Sequence, residues 1–421
     1  MELLKILRSR SLLKDATAIP ENLINSSVYC GFDPTAESLH VGHLSTFNAL
    51  VLSSIAGLKP IALLGGATAL IGDPSGRTQA RAQLENAQIE HNTKCIEKQI
   101  SKVYEGLVSR ALHHKLLNTK LPLTVLNNAN FYQDMSLIKF LREVGYYFPI
   151  NPLINRDFVK NREDSITYTE FSYSLMQAYD FYYLCNNHNC MIQLGGSDQW
   201  YNITTGTELI RKKLDKSAAG VTLPLLLTAD GQKFGKSAGN ALFLDENLTS
   251  PYLIYQYCFN LPDVGIKDLL LRLTFVSEEE INETMSKPLE QRECQKLLAK
   301  EIIAAVHGED KFHKVKKASD TLYRRNYRDL KSEEIDMVFQ DAIKFEVTSE
   351  ETNENLLELL ARIKVTENLW AITRLFKDKA LRINGDLVTE EKSKLSDFSP
   401  IDGKYFIVHT GRRKVSIIII K

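Results

Sequence analysis

The sequence predicts an α/β protein with a Rossmann-like, doubly wound parallel sheet, followed by an α-helical domain and a small α+β domain. Three observations support this prediction. Short apolar runs alternate with helical patterns in the first half of the chain, and glycine-rich polar loops follow those runs. The chain has 421 residues, which exceeds the usual size of one domain, so at least two folding units are expected.

The elements of the sheet domain follow from this alternation. Ser27 to Phe32 predicts a buried strand, and a turn at Pro34 to Ser38 leads into a helix over Leu39 to Ala56. Pro60 to Leu64 predicts a second strand, and Leu123 to Asn127 predicts a third. Because such sheets bind ligands beyond the carboxyl ends of their strands, the loops that follow these strands are expected to form the site.

The rest of the chain divides by composition. Residues 131–162 are irregular and aromatic, which favours an inserted connection suited to a subunit interface. A helical pattern follows Pro251, an acidic stretch near Ser349 to Glu354 suggests a linker, and Asn384-Gly385 predicts a hairpin near the end. The expected divisions are 1–243 for the sheet domain with its insertion at 131–162 and a loop at 231–240, 244–325 for the helical domain, 326–356 for the linker and 357–421 for the terminal domain.

Charge, cysteine content and apolar runs argue against a uniformly basic polyanion-binding protein, a metal-binding protein and a membrane protein. Lys plus Arg and Asp plus Glu each total 52, so binding to a polyanion would depend on local basic patches. Cys185, His188 and Cys190 could supply soft metal ligands but lack a fourth partner, and no metal site is expected. No apolar run has the length of a membrane span, which predicts a soluble cytoplasmic protein, with an organellar form as the alternative.

The segment HVGH at 40–43 is a candidate for phosphate chemistry. His40 and His43 would project from one face near the start of the predicted helix, where backbone N–H groups favour anions. Gly42 would let a flat base or a ribose approach the backbone, and the imidazoles could stabilise charge on a phosphate oxygen. Two half-exposed helix histidines, or two ligands of an incomplete metal site, remain alternatives for this segment alone.

The segment KFGKS at 233–237 is a second candidate. Lys233 and Lys236 lie in a glycine-flanked loop and could close over a leaving pyrophosphate, although an ordinary basic surface loop is the alternative. The common phosphate loops are missing from the sequence. GDPSGRT at 72–78 has Arg77 where the P-loop requires lysine, and no GxGxxG fingerprint occurs.

A narrow polar stripe follows residue 166. Thr167 and Glu170 have the spacing of a capping box that starts a helix, and Tyr173, Gln177 and Asp180 follow on one face of that otherwise apolar helix. The stripe is either a thin solvent-exposed face or one wall of a polar pocket, and its spacing is compatible with both.

Four segments of the sequence together resemble a known family. YCGFDPTAESLHVGH at 29–43 and KFGKS at 233–237 are similar to the paired signatures of class I aminoacyl-tRNA synthetases. ITYTEFSYSLMQAYDF at 166–181 and QLGGSDQWYNI at 193–203 resemble the bacterial and organellar tyrosyl-tRNA synthetases, and this likeness covers nearly the whole chain. The segment from about Leu357 resembles an S4-type RNA-binding domain, for which a small α+β domain with a basic surface is the alternative.

The resemblance implies a set of tyrosine-binding residues. Position by position, Tyr29 and Asp180 would hydrogen-bond the substrate phenol, while Asp73, Tyr173 and Gln177 would hold the ammonium group. Further matching positions in this pocket are Asn127, Gln193 and Gln199.

The resemblance also implies an ATP site. Thr35, His40 and His43 would contact the phosphate in the transition state, with Lys233 and Lys236 as catalytic cations. The remaining ATP-binding positions would be Asp33, Gly42, Gly195, Asp198, Arg77, Arg81 and Ser237. Arg77 stands where the family often has lysine, and its planar guanidinium leaves its role open.

The function implied by the resemblance is tyrosine–tRNA ligation in protein synthesis. ATP, accompanied by Mg²⁺, would activate L-tyrosine, and the tyrosyl group would then pass to the 3′-terminal ribose of tRNA(Tyr). The resemblance also implies a homodimer without a structural metal, a helical domain near the anticodon and an RNA-binding terminal domain. A tryptophanyl-tRNA synthetase and a non-catalytic RNA-binding or splicing protein of the same fold are the alternatives.

Overall fold

A computed structural model describes residues 2–75, 84–119, 121–151, 167–227, 234–237, 240–324, 327–411 and 414–421, with the backbone alone for 236, 237 and 240. The chain forms two compact units. The first comprises Met1–Thr249 and Tyr257–Gly308, and the second comprises Ser250–Gln256 and Glu309–Lys421. Within the described residues, no helix combines the length and apolar character needed to cross a membrane.

A six-stranded sheet organises the first unit. Its strands are β1 (Asp15–Ala16), β2 (Ser27–Phe32), β3 (Lys59–Leu64), β4 (Thr124–Asn127), β5 (Cys190–Gly196) and β6 (Ala219–Leu223). They lie in the order β1-β6-β5-β2-β3-β4, and each neighbouring pair is parallel except β1 with β6. Two further short strands, β7 (Lys236–Ser237) and β8 (Asn240–Ala241), pair with each other in an antiparallel arrangement. The chain passes from β2 toward β3 and β4 on one side, and through β5 to β6 on the other. This confirms the predicted doubly wound sheet and puts its switch point between β2 and β5.

Helices cover this sheet and extend the unit. They are α1 (Glu2–Ser9), α2 (Leu44–Ile55), α3 (Asn86–His113), α4 (Leu137–Glu143), α5 (Tyr168–His188), α6 (Trp200–Leu214), α7 (Pro251–Phe259, shared with the second unit), α8 (Ile266–Leu273), α9 (Glu278–Met285) and α10 (Glu293–His307). The helix predicted over Leu39 to Ala56 begins later, at Leu44. The reason is that His40 has an extended backbone and a 3-10 turn occupies Val41–His43.

The second unit contains a five-stranded sheet with the order β11-β10-β12-β13-β9. Its strands are β9 (Ile343–Val347), β10 (Leu381–Ile383), β11 (Asp386–Leu387), β12 (Tyr405–Thr410) and β13 (Lys414–Ile420), and its helices are α11 (Glu309–Tyr323), α12 (Ser332–Val338), α13 (Leu356–Arg362) and α14 (Leu369–Lys377). Asn384 and Gly385 both have positive φ, at 50° and 90°, and make the predicted hairpin turn between β10 and β11.

The expected linker at 326–356 has regular structure. It contains α12 and also β9, which pairs in parallel with β13 along the edge of the sheet. The acidic stretch that suggested a linker, Ser349 to Glu354, follows β9 and contains a 3-10 turn at Glu351–Asn353. The edge strand β9 buries Val347 but leaves Ile343 exposed, so its sequence shows no continuous apolar run. The functional division of the chain into domains stays a prediction.

Candidate active site

A cavity of about 450 Å³ opens at the carboxyl ends of β2 and β5. It is lined by most of the residues predicted for the site, namely Tyr29, Asp33, Thr35, His40, Gly42, His43, Asp73, Tyr173, Gln177, Asp180, Gln193, Gly195, Asp198 and Gln199. Arg77, Arg81 and Lys233 lie outside the described residues, as do the side chains of Lys236 and Ser237. The first unit thus brings segments that are far apart in sequence to one place.

The two signature segments are joined through their backbones. The Leu242 N–H donates to the Gly235 carbonyl at 2.7 Å, so residue 242 binds the KFGKS segment. The Val41 N–H donates to the Leu242 carbonyl at 2.9 Å, and the Leu244 N–H donates to the Leu39 carbonyl at 2.8 Å. Residues 242–244 therefore hold the backbone of KFGKS beside HVGH, in a register that does not depend on the lysine side chains.

Backbone groups fix the orientation of both signature histidines. The Gly42 N–H donates to His40 Nδ1 at 3.1 Å, and the His40 N–H donates to His43 Nδ1 at 3.1 Å. His43 Nδ1 also lies 3.3 Å from the His40 carbonyl, but its contact with the His40 N–H is shorter, so we assign Nδ1 as the acceptor and Nε2 as the donor in both rings. Burial, together with His40, lowers the pKa of His43 to about 3, so that His43 is a neutral donor at physiological pH.

Gly42 is required by this arrangement. A Cβ at that position would lie 2.9 Å from ring atoms of His40, closer than real Cβ atoms approach their neighbours. Gly65 has a similar role after β3, where a Cβ would collide with the Asp33 carboxylate. Both glycines therefore leave room for the polar side chains that line the cavity.

A buried carboxyl group closes one end of the cavity. Asp180 accepts hydrogen bonds from Asn128 Nδ2 at 2.9 Å and from the Tyr132 hydroxyl at 3.0 Å. Burial raises its pKa to about 8, although both hydrogen bonds act in the opposite direction. In the free protein at neutral pH this carboxyl group therefore retains its proton.

Two neighbouring polar atoms are buried without a partner among the described residues: the Tyr29 hydroxyl and Gln193 Oε1. Burial, and next the nearby Asp180, raise the pKa of Tyr29 well above its usual value, so it remains a neutral hydroxyl. An unpaired buried polar atom costs roughly 1–3 kcal/mol. This end of the cavity is therefore suited to a ligand that brings its own polar group.

Acidic groups and amides line the next part of the cavity. Asp73 accepts hydrogen bonds from Gln199 Nε2 at 2.7 Å and from the Ser75 N–H at 2.9 Å. Asp33 accepts one from the Tyr173 hydroxyl at 2.8 Å, and burial followed by the charge of Asp33 raises the pKa of Tyr173 well above its usual value. These carboxylates could hold a cationic group such as an ammonium.

The polar stripe on α5 is a pocket wall. Tyr173 and Asp180 are buried and line the cavity, while Phe181 and Leu184 on other faces of α5 enter the hydrophobic core. The capping box of Thr167 and Glu170 is present at the start of the helix. The solvent-face alternative is therefore excluded.

Asn127 was predicted to line the pocket, but the next residue, Asn128, lines the cavity instead. The side chain of Asn127 caps the 3-10 turn Asn128–Phe131 by accepting the Ala129 N–H, and Asn127 does not line the cavity. Asn128 lines it instead and donates to Asp180 and to Thr68 Oγ1. The Asn-Asn pair at the end of β4 signalled an amide at this position but could not identify which of the two faces the cavity.

Two side chains of α3 that the sequence analysis missed hold the loop after β2. Gln99 Oε1 accepts the Leu39 N–H at 2.6 Å, and Gln99 Nε2 donates to Ser38 Oγ at 3.0 Å. Asn92 Nδ2 donates to the Pro34 carbonyl at 3.1 Å. The two residues are seven apart and share one helix face, which the sequence presents as two ordinary polar residues in a long helix.

In the described part of the chain, no group of three or more His, Cys, Asp or Glu side chains is arranged to hold a metal ion. Cys185 and Cys190 of the segment considered for metal binding are both buried in the core.

Comparisons with known proteins agree with this geometry. Residues 23–324 match the family model described as tRNA synthetases class I (W and Y). The tyrosine–tRNA ligase of Streptococcus suis is 37% identical over 99% of this chain and 100% of its own length. That of Lactobacillus acidophilus is 38% identical over 94% of this chain and 92% of its own length.

A solved structure has the same architecture. The C-terminally truncated mitochondrial tyrosyl-tRNA synthetase of Aspergillus nidulans matches with a TM-score of 0.68 and 29% identity, over 76% of this chain and 94% of that chain. The family model covers most of the chain, and the bacterial relatives cover nearly all of it. The chain therefore belongs to the class I aminoacyl-tRNA synthetases of the tyrosyl type.

Proposed function

We propose that the cavity at β2 and β5 activates L-tyrosine with ATP and then transfers the tyrosyl group to tRNA(Tyr). As a tyrosyl-type synthetase the chain is an ATP-dependent aminoacyl-tRNA ligase. The observation that carries the assignment of the cavity is the buried Asp180 beside the unpaired Tyr29 hydroxyl, in the same cavity as His40 and His43. A phenol can donate to Asp180 and accept from Tyr29, which satisfies both groups.

In the first step, the tyrosine carboxylate attacks the α-phosphorus of ATP, and pyrophosphate leaves. Asp73, Tyr173 and Gln177 hold the ammonium group in this proposal. The Nε2–H groups of His40 and His43 donate hydrogen bonds to phosphate oxygens, where negative charge increases in the transition state. No side chain forms a covalent bond, and catalysis consists of positioning and charge stabilisation.

The other predicted ATP positions complete this proposal. In this proposal Thr35 contacts the phosphate in the transition state. Asp33, Gly42, Gly195, Asp198 and Gln199 lie around ribose, base and carboxylate in this assignment, and Arg77, Arg81, Lys233, Lys236 and Ser237 bind pyrophosphate. Mg²⁺ would arrive bound to the ATP phosphates, because Mg²⁺ is commonly held by substrate phosphates and few protein ligands.

In the second step, a hydroxyl of the 3′-terminal ribose attacks the tyrosyl carbonyl, and AMP leaves. We assign binding of the tRNA body to the terminal residues 357–421 and to the helical residues 244–325. Bacterial relatives support a cytoplasmic location for this reaction.

The proposed assembly is a homodimer. Helix α4 has no buried residue, and its Leu137 and Ile138 are largely exposed, at 68% and 73%. Tyr146 and Ile150 beyond it are exposed as well. A patch of this kind on the expected insertion suits a second copy of the chain. Sedimentation velocity of wild type and Ile138→Asp tests it, since the charge should shift the protein toward a monomer.

The proposed reaction is tested by amino-acid-dependent exchange of pyrophosphate into ATP. Tyrosine should stimulate exchange, whereas tryptophan should not, because an indole offers no oxygen to the Tyr29 hydroxyl. His43→Ala should slow adenylate formation and leave tyrosine affinity nearly unchanged. Exchange with tryptophan alone would support the first alternative function, and RNA binding without any exchange would support the second. The sequence relatives, which are tyrosine–tRNA ligases, do not favour either.

A further inference from the structure

An exposed tryptophan stands on the outer face of α14. Trp370 is 70% exposed, and Leu369 beside it is 47% exposed. The guanidinium carbon of Arg374, one helical turn further on, lies 5.7 Å from the centre of the Trp370 ring. Lys377 follows at the next turn of the same face. This face, defined by Trp370, Arg374 and Lys377, combines a large flat ring with two cationic groups.

Arg374 and Lys377 make few ion-pair contacts with other described side chains of the protein. Arg374 has an ion-pair contact with Asp378 at 3.7 Å, and both side chains are more than half exposed. Such pairs contribute little free energy. Lys377 forms no ion pair within the residues that the structure describes. Both cations are therefore available to an anionic partner.

Helix α11 also carries a basic run, which consists of Lys311, Lys314, Lys316 and Lys317. Lys314 pairs with Glu333 at 2.6 Å, and Lys317 pairs with Glu334 at 3.0 Å. Carboxylates of α12 therefore neutralise part of the charge on α11. On α14, in contrast, the cation of Arg374 lies beside the exposed ring of Trp370.

The charge of the terminal segment indicates the kind of partner. Residues 357–421 contain 13 Lys and Arg against 8 Asp and Glu, although the chain as a whole has no net charge. A polyanion is attracted to such a segment, whereas a second copy of the same basic surface is repelled. RNA also supplies flat bases, which suit an exposed indole.

We propose that Trp370 and Arg374 form a stacking surface for an unpaired nucleotide of the tRNA, with Lys377 at an adjoining phosphate. Bases that are splayed out of a helix stack on aromatic rings and on arginine planes, whereas bases inside a duplex have no free face. The nucleotide therefore belongs to a loop, a bulge or an end of the RNA. This inference rests on the proposed binding of tRNA by residues 357–421.

The experiment measures binding of a tRNA(Tyr) transcript to the full-length protein by tryptophan fluorescence and by filter retention. The chain has two tryptophans, Trp200 and Trp370, so the quenching that disappears in Trp370→Phe reports on Trp370. Trp370→Ala should raise the Kd roughly tenfold, since one stacked base contributes about that factor. Trp370→Phe should stay within about threefold of wild type, and the matched neighbour Leu369→Ala within about twofold.

Salt dependence separates stacking from charge. Lys377→Ala, which removes the phosphate contact, should lower the slope of log Kd against log salt by about one, whereas Trp370→Ala should leave the slope unchanged. Tyrosine-dependent pyrophosphate exchange needs no tRNA and should equal wild type in all of these variants.

The outcomes distinguish this inference from the proposed function. Absence of exchange in the wild-type protein would reject the proposed function. With exchange intact, wild-type tRNA affinity in Trp370→Ala would overturn the stacking surface. A change of sedimentation in Trp370→Ala without a change of tRNA affinity would also overturn it, because the surface would then join protein chains.

Discussion

The cavity at β2 and β5 and the outer face of α14 both combine aromatic rings with charged groups, but they are built in opposite ways. In the cavity, Tyr29 and Asp180 are 1% and 3% exposed, and neighbouring side chains fix their positions. On α14 the Trp370 ring is mostly in solvent. A buried polar atom without a partner costs roughly 1–3 kcal/mol, whereas an exposed ion pair is worth about 0–1 kcal/mol. The cavity is therefore suited to discriminate between small substrates, and the exposed face is suited to add affinity for a large one.

The largest effect is expected from Asp180→Ala. This change would remove the partner of the substrate phenol, while Asn128 Nδ2 and the Tyr132 hydroxyl would keep their other acceptors, Thr68 Oγ1 at 3.1 Å and the Met176 carbonyl at 3.0 Å. A buried phenol left without its partner costs up to about 3 kcal/mol, so kcat/KM for tyrosine in pyrophosphate exchange should fall by about 100-fold. A site that hydrogen-bonds a hydroxyl rejects the analogue lacking it by about 10⁴–10⁵, a rule for which this enzyme family is itself the standard example.

Two measurements support the interpretation of that variant. Thermal unfolding establishes that Asp180→Ala is folded under assay conditions, and Asp180→Asn keeps the shape and one acceptor oxygen, so it should lose less activity. If Asp180→Ala kept the wild-type kcat/KM, the claim that the buried cavity discriminates between small substrates through Asp180 would be wrong.

An intermediate effect is expected from Gln99→Ala, which tests a positioning residue outside the cavity. The Leu39 N–H would lose its 2.6 Å acceptor, and the backbone beside His40 would be less firmly held. Adenylate formation should slow by roughly tenfold, because one hydrogen bond is worth about 1 kcal/mol and misplacement of His40 adds to its loss. Rapid-quench measurement of the adenylate gives the rate, and equilibrium dialysis should show unchanged tyrosine affinity.

The matched variants for Gln99 exploit its chemistry. Gln99→Glu keeps an acceptor for the Leu39 N–H and should recover much of the rate, while the exposed neighbour Lys98→Ala should behave as wild type. Equal losses of tyrosine affinity and of rate in Gln99→Ala would indicate general damage to the fold instead of positioning.

The same contrast explains how much the sequence could predict. The apolar run Ser27–Phe32 predicted the bounds of β2 correctly, because a buried strand requires consecutive apolar residues and is therefore visible in the local sequence. The capping box of Thr167 and the hairpin at Asn384-Gly385 are local, and both were predicted. The roles of Asn128 and Gln99 depend on contacts with residues 52 and 60 positions away, which no local pattern encodes. Likewise, the sequence shows lysines on α11 but not the glutamates of α12 that pair with them.

The last effect concerns the pH dependence of stability and comes from burial in the cavity. Burial raises the pKa of Asp180 to about 8, whereas an aspartate in the unfolded chain titrates near 3.9. Between these values the unfolded chain has released the proton and the folded protein retains it. The contribution of Asp180 to the free energy of unfolding therefore decreases as pH rises from about 4 to about 8, and is constant above that.

Urea unfolding at several pH values should show this decline in wild type and a flatter profile in Asp180→Asn, whose side chain does not titrate. Parallel profiles for the two proteins would mean that the Asp180 carboxyl group is already ionised in the folded protein, and that its hydrogen bonds from Asn128 and Tyr132 outweigh its burial.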